Sequence, residues 1–319
     1  MASPQRPVVR LIGLGNIGFR HLQGLKPLAG SIHLEARDRS DEAVARAEAE
    51  WSAYAGAQGD FSSDGTRDGP ADLVVLATSA MGRAEILQDQ LNLGAKRLLL
   101  EKVVFTETAA FERAQAQLER AGAVAFVNTA RRLWPLHRKL KEMAVATGPV
   151  HLDVEGRGLG LACNGVHFID LLQMLSGETD LDVVAASISE PWASKREGYY
   201  ETWGRLKLET PGGSTLCLSV LEDSSPSPQM SVRMGERDLI INEAEGRVTD
   251  STGAEIANLG RSPYQSELSA AYATPMLAGS QPELPSLSVS AEAHRVLFDV
   301  LAPVFQKEGL IGPHGLPIT

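Results

Sequence analysis

Apolar residues in the first part of the chain come in short unbroken runs rather than in alternation. The runs fall at 8–12, 32–36, 73–77, 97–100 and 123–127 and are rich in Val, Leu and Ile. A strand buried on both faces reads this way, because neither side needs polar residues. Between the runs lie segments of helical length, Asp41 to Tyr54, Arg83 to Leu93 and Thr106 to Arg120. Strands alternating with such helices predict a parallel sheet covered on both faces.

After Asn128 the pattern changes. A helix is expected from Leu136 to Val145, then a strand over Val150–Val154 beyond Gly148-Pro149. A second helix is expected from Asn164 to Ser176, closed by Gly177 at its C-terminal cap. In it Phe168, Leu171, Leu172 and Leu175 follow the i, i+3, i+4, i+7 rule of a core-facing stripe. From Leu181 the chain reads as strands joined by turns. Leu206–Glu209 and Thr215–Val220 flank Pro211-Gly212-Gly213, and Met230–Met234 and Asp238–Asn242 flank Gly235-Glu236-Arg237. A third turn falls at Glu245-Gly246, and Ser224–Pro228 reads as a loop. The tail from Gln265 is helical, with Pro275, Pro282 and Pro285 expected to break it. The expectation is an α/β chain in two domains. Residues 1–128 form a nucleotide-binding domain on a parallel sheet, and 129–319 an α+β domain on an open, mainly antiparallel sheet.

Composition narrows the class. At 319 residues, with 43% apolar and 22% charged residues, the chain is long enough for two ordinary cores. No run approaches the roughly 18 apolar residues of a membrane span, and the first seven residues carry no export signal. Cys163 and Cys217 stand far apart in no metal-ligand spacing, which implies a reduced, cytoplasmic setting and no metal site. A net charge of −10 without a basic cluster argues against nucleic acid or an anionic membrane as partner.

One motif changes the picture. Gly13-Leu14-Gly15-Asn16-Ile17-Gly18 follows the first apolar run and opens an amphipathic helix, and Asp38 stands twenty residues past the third glycine. That is the context of a dinucleotide fingerprint. Gly13 allows the tight turn, Gly15 the approach of backbone to a pyrophosphate, and Gly18 the close packing of helix on sheet. The helix N-terminus, at Asn16 and Ile17, offers N–H groups and a positive dipole end. A structural glycine turn in some other α/β protein is the alternative, and it leaves Asp38 unexplained. Asp38 suits the adenosine ribose and favours NAD, while Arg37, Arg39 and Ser40 keep NADP open.

Two further places carry candidate chemistry. Glu101 and Lys102 interrupt an apolar stretch; burying both charges mid-strand would cost several kcal/mol each. The cheaper placement is the strand's carboxyl end, where Lys102 can hold a substrate hydroxyl; a solvent-exposed pair is the plainer alternative. His167 and Asp170, three apart on the second helix, share a face at the edge of its apolar stripe and point out of one end of the second domain. Arg131, Arg132 and Arg157 suit carboxylates or phosphates, or else surface ion pairs. Trp134 and Trp203 can stack on a sugar ring or simply fill core.

With these sites in view the chain resembles the Gfo/Idh/MocA family, the oxidoreductases similar to glucose-fructose oxidoreductase and inositol dehydrogenase. The resemblance rests on Gly13–His21, Asp72–Thr78, Glu101-Lys102, Asn128 with Arg131–Pro135, and Gly165–Asp170, in order and covering residues 8 to 177. It implies a Rossmann domain followed by an open-sheet domain that supplies substrate contacts and often the interface of a homodimer or homotetramer. It also implies Lys102 as active-site lysine, His167 as acid/base, Asp170 near the substrate, Thr78 and Ser79 beside the cofactor, and Glu101 at the nicotinamide end. Arg131, Arg132 and Asn164 are the further candidates for substrate binding. Three positions depart from the family pattern. Val103 stands where Glu-Lys-Pro has its proline, Thr78–Arg83 where the family has Thr-Pro-x-x-x-His, and Cys163 where an Asp usually stands four residues before the histidine.

The expected activity is hydride transfer between NAD, with NADP open, and a carbinol carbon of a sugar or sugar derivative, acidic or nucleotide-activated. His167 is expected to take the hydroxyl proton and Lys102 to steady the resulting oxygen. A non-catalytic NAD(P) sensor, and an epimerase or glycosidase that uses bound NAD transiently, remain as alternatives.

Overall fold

The structure is a computed structural model describing residues 6–54, 61–63, 69–145, 148–222 and 229–319; Ser224–Pro228 and the first five residues fall outside the described residues. In chain order the elements are β1 (Val8–Ile12), α1 (Asn16–Leu25), β2 (His33–Arg37), α2 (Asp41–Ser52), β3 (Phe61–Ser62), β4 (Leu73–Leu76), α3 (Arg83–Asn92), β5 (Arg97–Glu101), α4 (Thr108–Ala121) and β6 (Val124–Asn128). There follow α5 (Pro135–Ala144), β7 (Val150–Arg157), α6 (Leu161–Ser176), β8 (Asp182–Ile188), β9 (Trp192–Ala193), β10 (Tyr200–Glu201), β11 (Gly204–Glu209) and β12 (Thr215–Leu221). The chain continues through β13 (Gln229–Met234), β14 (Arg237–Asn242), β15 (Arg247–Asp250), β16 (Glu255–Asn258), α7 (Gln265–Leu277) and α8 (Leu287–Lys307).

The chain divides into two compact units. The first runs to Phe105, resumes over Ala109–Ala130 and takes back Pro263–Leu287; the second holds Thr106–Thr108, Arg131–Ser262 and Ser288–Thr319. The segment carrying α7 thus belongs with the sheet of the first unit, although it lies far along the chain.

In the first unit six parallel strands lie in the order β3-β2-β1-β4-β5-β6. Strands β1, β4 and β5 are buried almost throughout, as their unbroken apolar runs require. The chain moves outward from β1 to β3, then returns to the other side of β1 at β4. That reversal opens a crevice at the carboxyl ends of β1 and β4, the usual ligand position of such sheets. Helix α7 crosses α1 at Gly24, where a Cβ would lie 2.6 Å from the Ser269 Oγ. Pro275 does not break α7: it sits in the last turn, where it forfeits a single helical hydrogen bond, and the helix runs on to Leu277.

In the second unit eight strands lie in the order β16-β15-β14-β13-β7-β12-β11-β8, antiparallel except for β7 beside β12. Burial alternates along β12 and β13, so Leu216, Leu218, Val220, Met230 and Val232 face the core while the opposite side is open. Helix α6 packs on the buried side and is apolar on nearly all faces, with Phe168, Leu171, Leu172 and Leu175 all at most 4% exposed. It begins at Leu161, three residues earlier than its sequence pattern indicates, and ends on Gly177 in the left-handed region at φ 75°. Among the described residues no helix is long and apolar enough to cross a membrane, and no group of His, Cys, Asp and Glu is arranged to hold a metal ion.

Candidate active site

In the first unit the glycine loop joins β1 to α1, and its three glycines have separable reasons. At Gly13, φ is +92° and a Cβ would lie 2.7 Å from the Thr78 backbone N. A Cβ at Gly18 would lie 1.8 Å from the Gly13 carbonyl oxygen, so α1 meets the loop only through glycine. Gly15 differs from both. Its φ of −63° suits any residue, and its Cβ would have nothing within 4 Å. Neither backbone nor packing explains a glycine there; the approach of a ligand to the bare backbone does. Asn16 and Ile17 open α1 behind it, with no side-chain cap and no acidic residue in the first turn, leaving the dipole end for an anion.

Asp38 closes the loop from the other side. Its carboxylate accepts from Leu14 N at 2.6 Å and from Ser40 N at 2.9 Å. Each carboxylate oxygen keeps a further lone pair for a ribose hydroxyl. Arg46, which sequence reasoning missed, donates to the Leu14 carbonyl at 2.8 Å and lies 4.4 Å from the centre of the Phe19 ring. Arg39 is exposed beside Asp38, while Arg37 lies 3.7 Å from Glu35. Thr78 and Ser79 follow β4; among the described residues the buried Thr78 hydroxyl has no hydrogen-bond partner, and neither has that of Thr129, just past β6. Unpaired buried hydroxyls at strand ends call for a ligand or water.

Glu101 and Lys102 part company at the end of β5. Glu101, 4% exposed, receives hydrogen bonds from His21 Nε2 at 2.7 Å and Asn128 Nδ2 at 2.5 Å. Burial disfavours its charge, yet the His21 and Asn128 contacts and the nearby Lys102 outweigh that and hold the carboxyl below its ordinary value. The network runs on through Tyr272, whose hydroxyl lies 2.8 Å from His21 Nδ1, and through Gln265, which accepts from Asn128 at 2.9 Å. Burial pushes the Tyr272 phenol above its ordinary range. The solvent-exposed Glu101-Lys102 pair allowed by sequence is therefore not what forms, because His21 from α1 provides the acid with a partner. Lys102 itself is half-buried and begins the segment beyond the strand; its peptide bond to Val103 is cis.

In the second unit His167 is half-buried on α6. The start of that helix is capped from outside: Glu201 on β10 accepts from Ala162 N and Cys163 N, both at 3.0 Å. A Cβ at Gly160 would lie 2.0 Å from the Glu201 carboxyl carbon, so the glycine makes room for the acid. A carboxylate thus stands at the backbone of residue 163, delivered from strand β10. Cys163 is half-buried and in no disulfide, and Asn164 donates its side chain to the Gly160 carbonyl at 2.9 Å.

Asp170 does not point outward as the helix pattern suggested. It is fully buried, and Arg132 engages both its oxygens at 2.9 Å. Arg131 likewise pairs with Glu243 at 2.8 and 3.1 Å while lying against the Phe168 and Trp134 rings. Each arginine therefore has a carboxylate of the protein itself. Trp134 stacks on His137 and Trp203 on Trp192, while the Arg157 side chain lies outside the described residues.

The Glu243 pair yields a measurable pH dependence. Burial opposes its charge, but Arg131 and His137 reverse this and hold the carboxyl at about 2, against an ordinary 4.5. The pair's stabilisation, about 3 kcal/mol, is present above pH 4.5 and fades as pH falls towards 2. Glu243→Gln should accordingly lower the thermal midpoint near neutral pH, with the gap to wild type closing as the solution is acidified. A gap independent of pH would remove the ion pair from the account.

No protein-family profile and no curated protein matches the chain in sequence. Solved structures do. A UDP-N-acetylglucosamine 3-dehydrogenase of Acidithiobacillus ferrooxidans superposes with a TM-score of 0.74 at 15% identity, over 93% of this chain and 97% of that one. They share this fold. So do an Agrobacterium radiobacter oxidoreductase in complex with NAD+, L-tartaric acid and magnesium (TM-score 0.72, 11% identity, 95% and 97% coverage) and the Bordetella pertussis WlbA dehydrogenase in complex with NADH and UDP-GlcNAcA (0.70, 18%, 95% and 98%).

Proposed function

We propose that the chain is an NAD-dependent oxidoreductase acting on a hydroxyl or keto carbon of a sugar or sugar derivative. The observation that carries this is Gly15, a glycine with no conformational or packing need, set over an uncapped helix N-terminus and followed by Asp38. NAD+ and NADH in two structures of the same fold support the choice of cofactor, and UDP-GlcNAcA bound in one of them, with a UDP-N-acetylglucosamine 3-dehydrogenase among the others, supports a nucleotide-activated sugar.

The residues fit a dinucleotide. Backbone N–H groups from Gly15 to Ile17 would hold its pyrophosphate, Asp38 its adenosine ribose, and the unpaired Thr78 hydroxyl its far end. When bound, the nicotinamide supplies the hydride acceptor or donor. The protein's own work is proton handling. Lys102 donates a hydrogen bond to the substrate oxygen and stabilises the negative charge that grows on it. His167 takes the hydroxyl proton in oxidation and returns it in reduction, an imidazole being suited to both near neutral pH. Arg131 and Arg132 are given no step in this scheme; Glu243 and Asp170 engage part of each guanidinium.

The test is absorbance at 340 nm with NAD and each of UDP-N-acetylglucosamine, UDP-GlcNAcA, myo-inositol and L-tartrate, on wild type, Lys102→Ala and His167→Ala. Turnover that both variants retain in full would overturn the assignment.

A further inference from the structure

Arg83 is a buried guanidinium to which the proposed function gives no task. It is the first residue of α3 and only 1% exposed. Its guanidinium turns back to the ends of two strands. Nη1 donates to the carbonyls of Glu101, of Val103 at 2.5 Å and of Val104 at 2.8 Å, and Nη2 donates to the carbonyl of Thr78. Glu101 and Val103 are the neighbours of Lys102 on either side. One side chain therefore grips the backbone before and after that lysine and ties it to the loop that follows β4.

Helix formation does not ask for this residue. The first position of a helix accepts most side chains, and burying a guanidinium costs several kcal/mol unless hydrogen bonds repay it. What the planar fork offers is several donors fixed in one plane, which a lysine's single ammonium cannot reproduce. The carbonyls it gathers belong to the two segments at the ends of β4 and β5, Thr78 in one and residues 101–104 in the other, beside the crevice.

We propose that Arg83 is the positioning residue that sets these two segments against the nicotinamide end of the dinucleotide. The inference rests on the function proposed above. Arg83 touches neither cofactor nor substrate; it acts through Lys102 and Thr78.

ADP-ribose, which keeps the adenosine and pyrophosphate but lacks nicotinamide, separates this role from general damage. The Kd values for NADH and ADP-ribose are compared in wild type, Arg83→Lys and Arg83→Met. Wild type should bind NADH the more tightly. In the variants ADP-ribose affinity should hold within about twofold, while the preference for NADH falls about fivefold or more, the order expected when one or two hydrogen bonds are mispositioned. An unchanged preference in a folded variant overturns the proposal, as does an equal loss for both ligands or a wild type with no preference. A wild type that binds neither ligand overturns the function itself, so the two failures are told apart.

Discussion

Alanine at Lys102 is expected to cut kcat by about 10²- to 10³-fold while NAD affinity stays within about threefold, because the ammonium serves charge that exists only in the transition state. Alanine at His167 is expected to cost about 10²- to 10⁴-fold, the usual worth of a general base. The two losses should differ in pH dependence. In wild type the rate of oxidation rises as an imidazole loses its proton, and that limb should vanish from the residual activity of His167→Ala but persist in Lys102→Ala. Steady-state rates from pH 5 to 9 read both effects. Equal profiles in the two variants would show that the proton is handled elsewhere.

The glycine loop gives the second large effect, and it comes as a contrast between two substitutions. Gly18→Ala places a methyl group 1.8 Å from the Gly13 carbonyl oxygen, so α1 or the loop must move. About 1 to 3 kcal/mol of stability should be lost, and with it NAD binding. Gly15→Ala places its methyl group in open space, so stability should stay within about 0.5 kcal/mol while NAD affinity falls tenfold or more. Thermal melts paired with NAD titrations separate the two. If Gly15→Ala bound NAD as wild type does, the open space above Gly15 would have no ligand to explain it.

The parallel sheet and the glycine loop were legible in the sequence because both are local. A doubly buried strand is a continuous apolar run, and the fingerprint's residues lie within about thirty positions of one another. The misreadings share the opposite cause. Glu101 does end its strand as read, but the exposed pair stayed open as an alternative because its buried partner, His21, lies eighty residues earlier. Helix α6 seemed to begin at Asn164 because the acid that caps its true start is Glu201 on β10. Asp170 read as pointing out of its helix because the partner that holds it inside, Arg132, lies 38 residues earlier. The same distance hid Arg83, which looked like an ordinary helix-opening residue until the carbonyls around Lys102 were placed against it. Local pattern reveals which residues are polar in apolar surroundings. The tertiary partner decides whether such a residue is structural or left to face a ligand.

What the first unit binds is measured by calorimetric titration of the whole chain with NAD and with NADP. The prediction is one saturable NAD site per chain, tighter than for NADP, with Asp38→Ala shrinking that preference as the ribose loses its acceptor. The absence of saturable NAD binding, or a preference for NADP that Asp38→Ala leaves untouched, would contradict it.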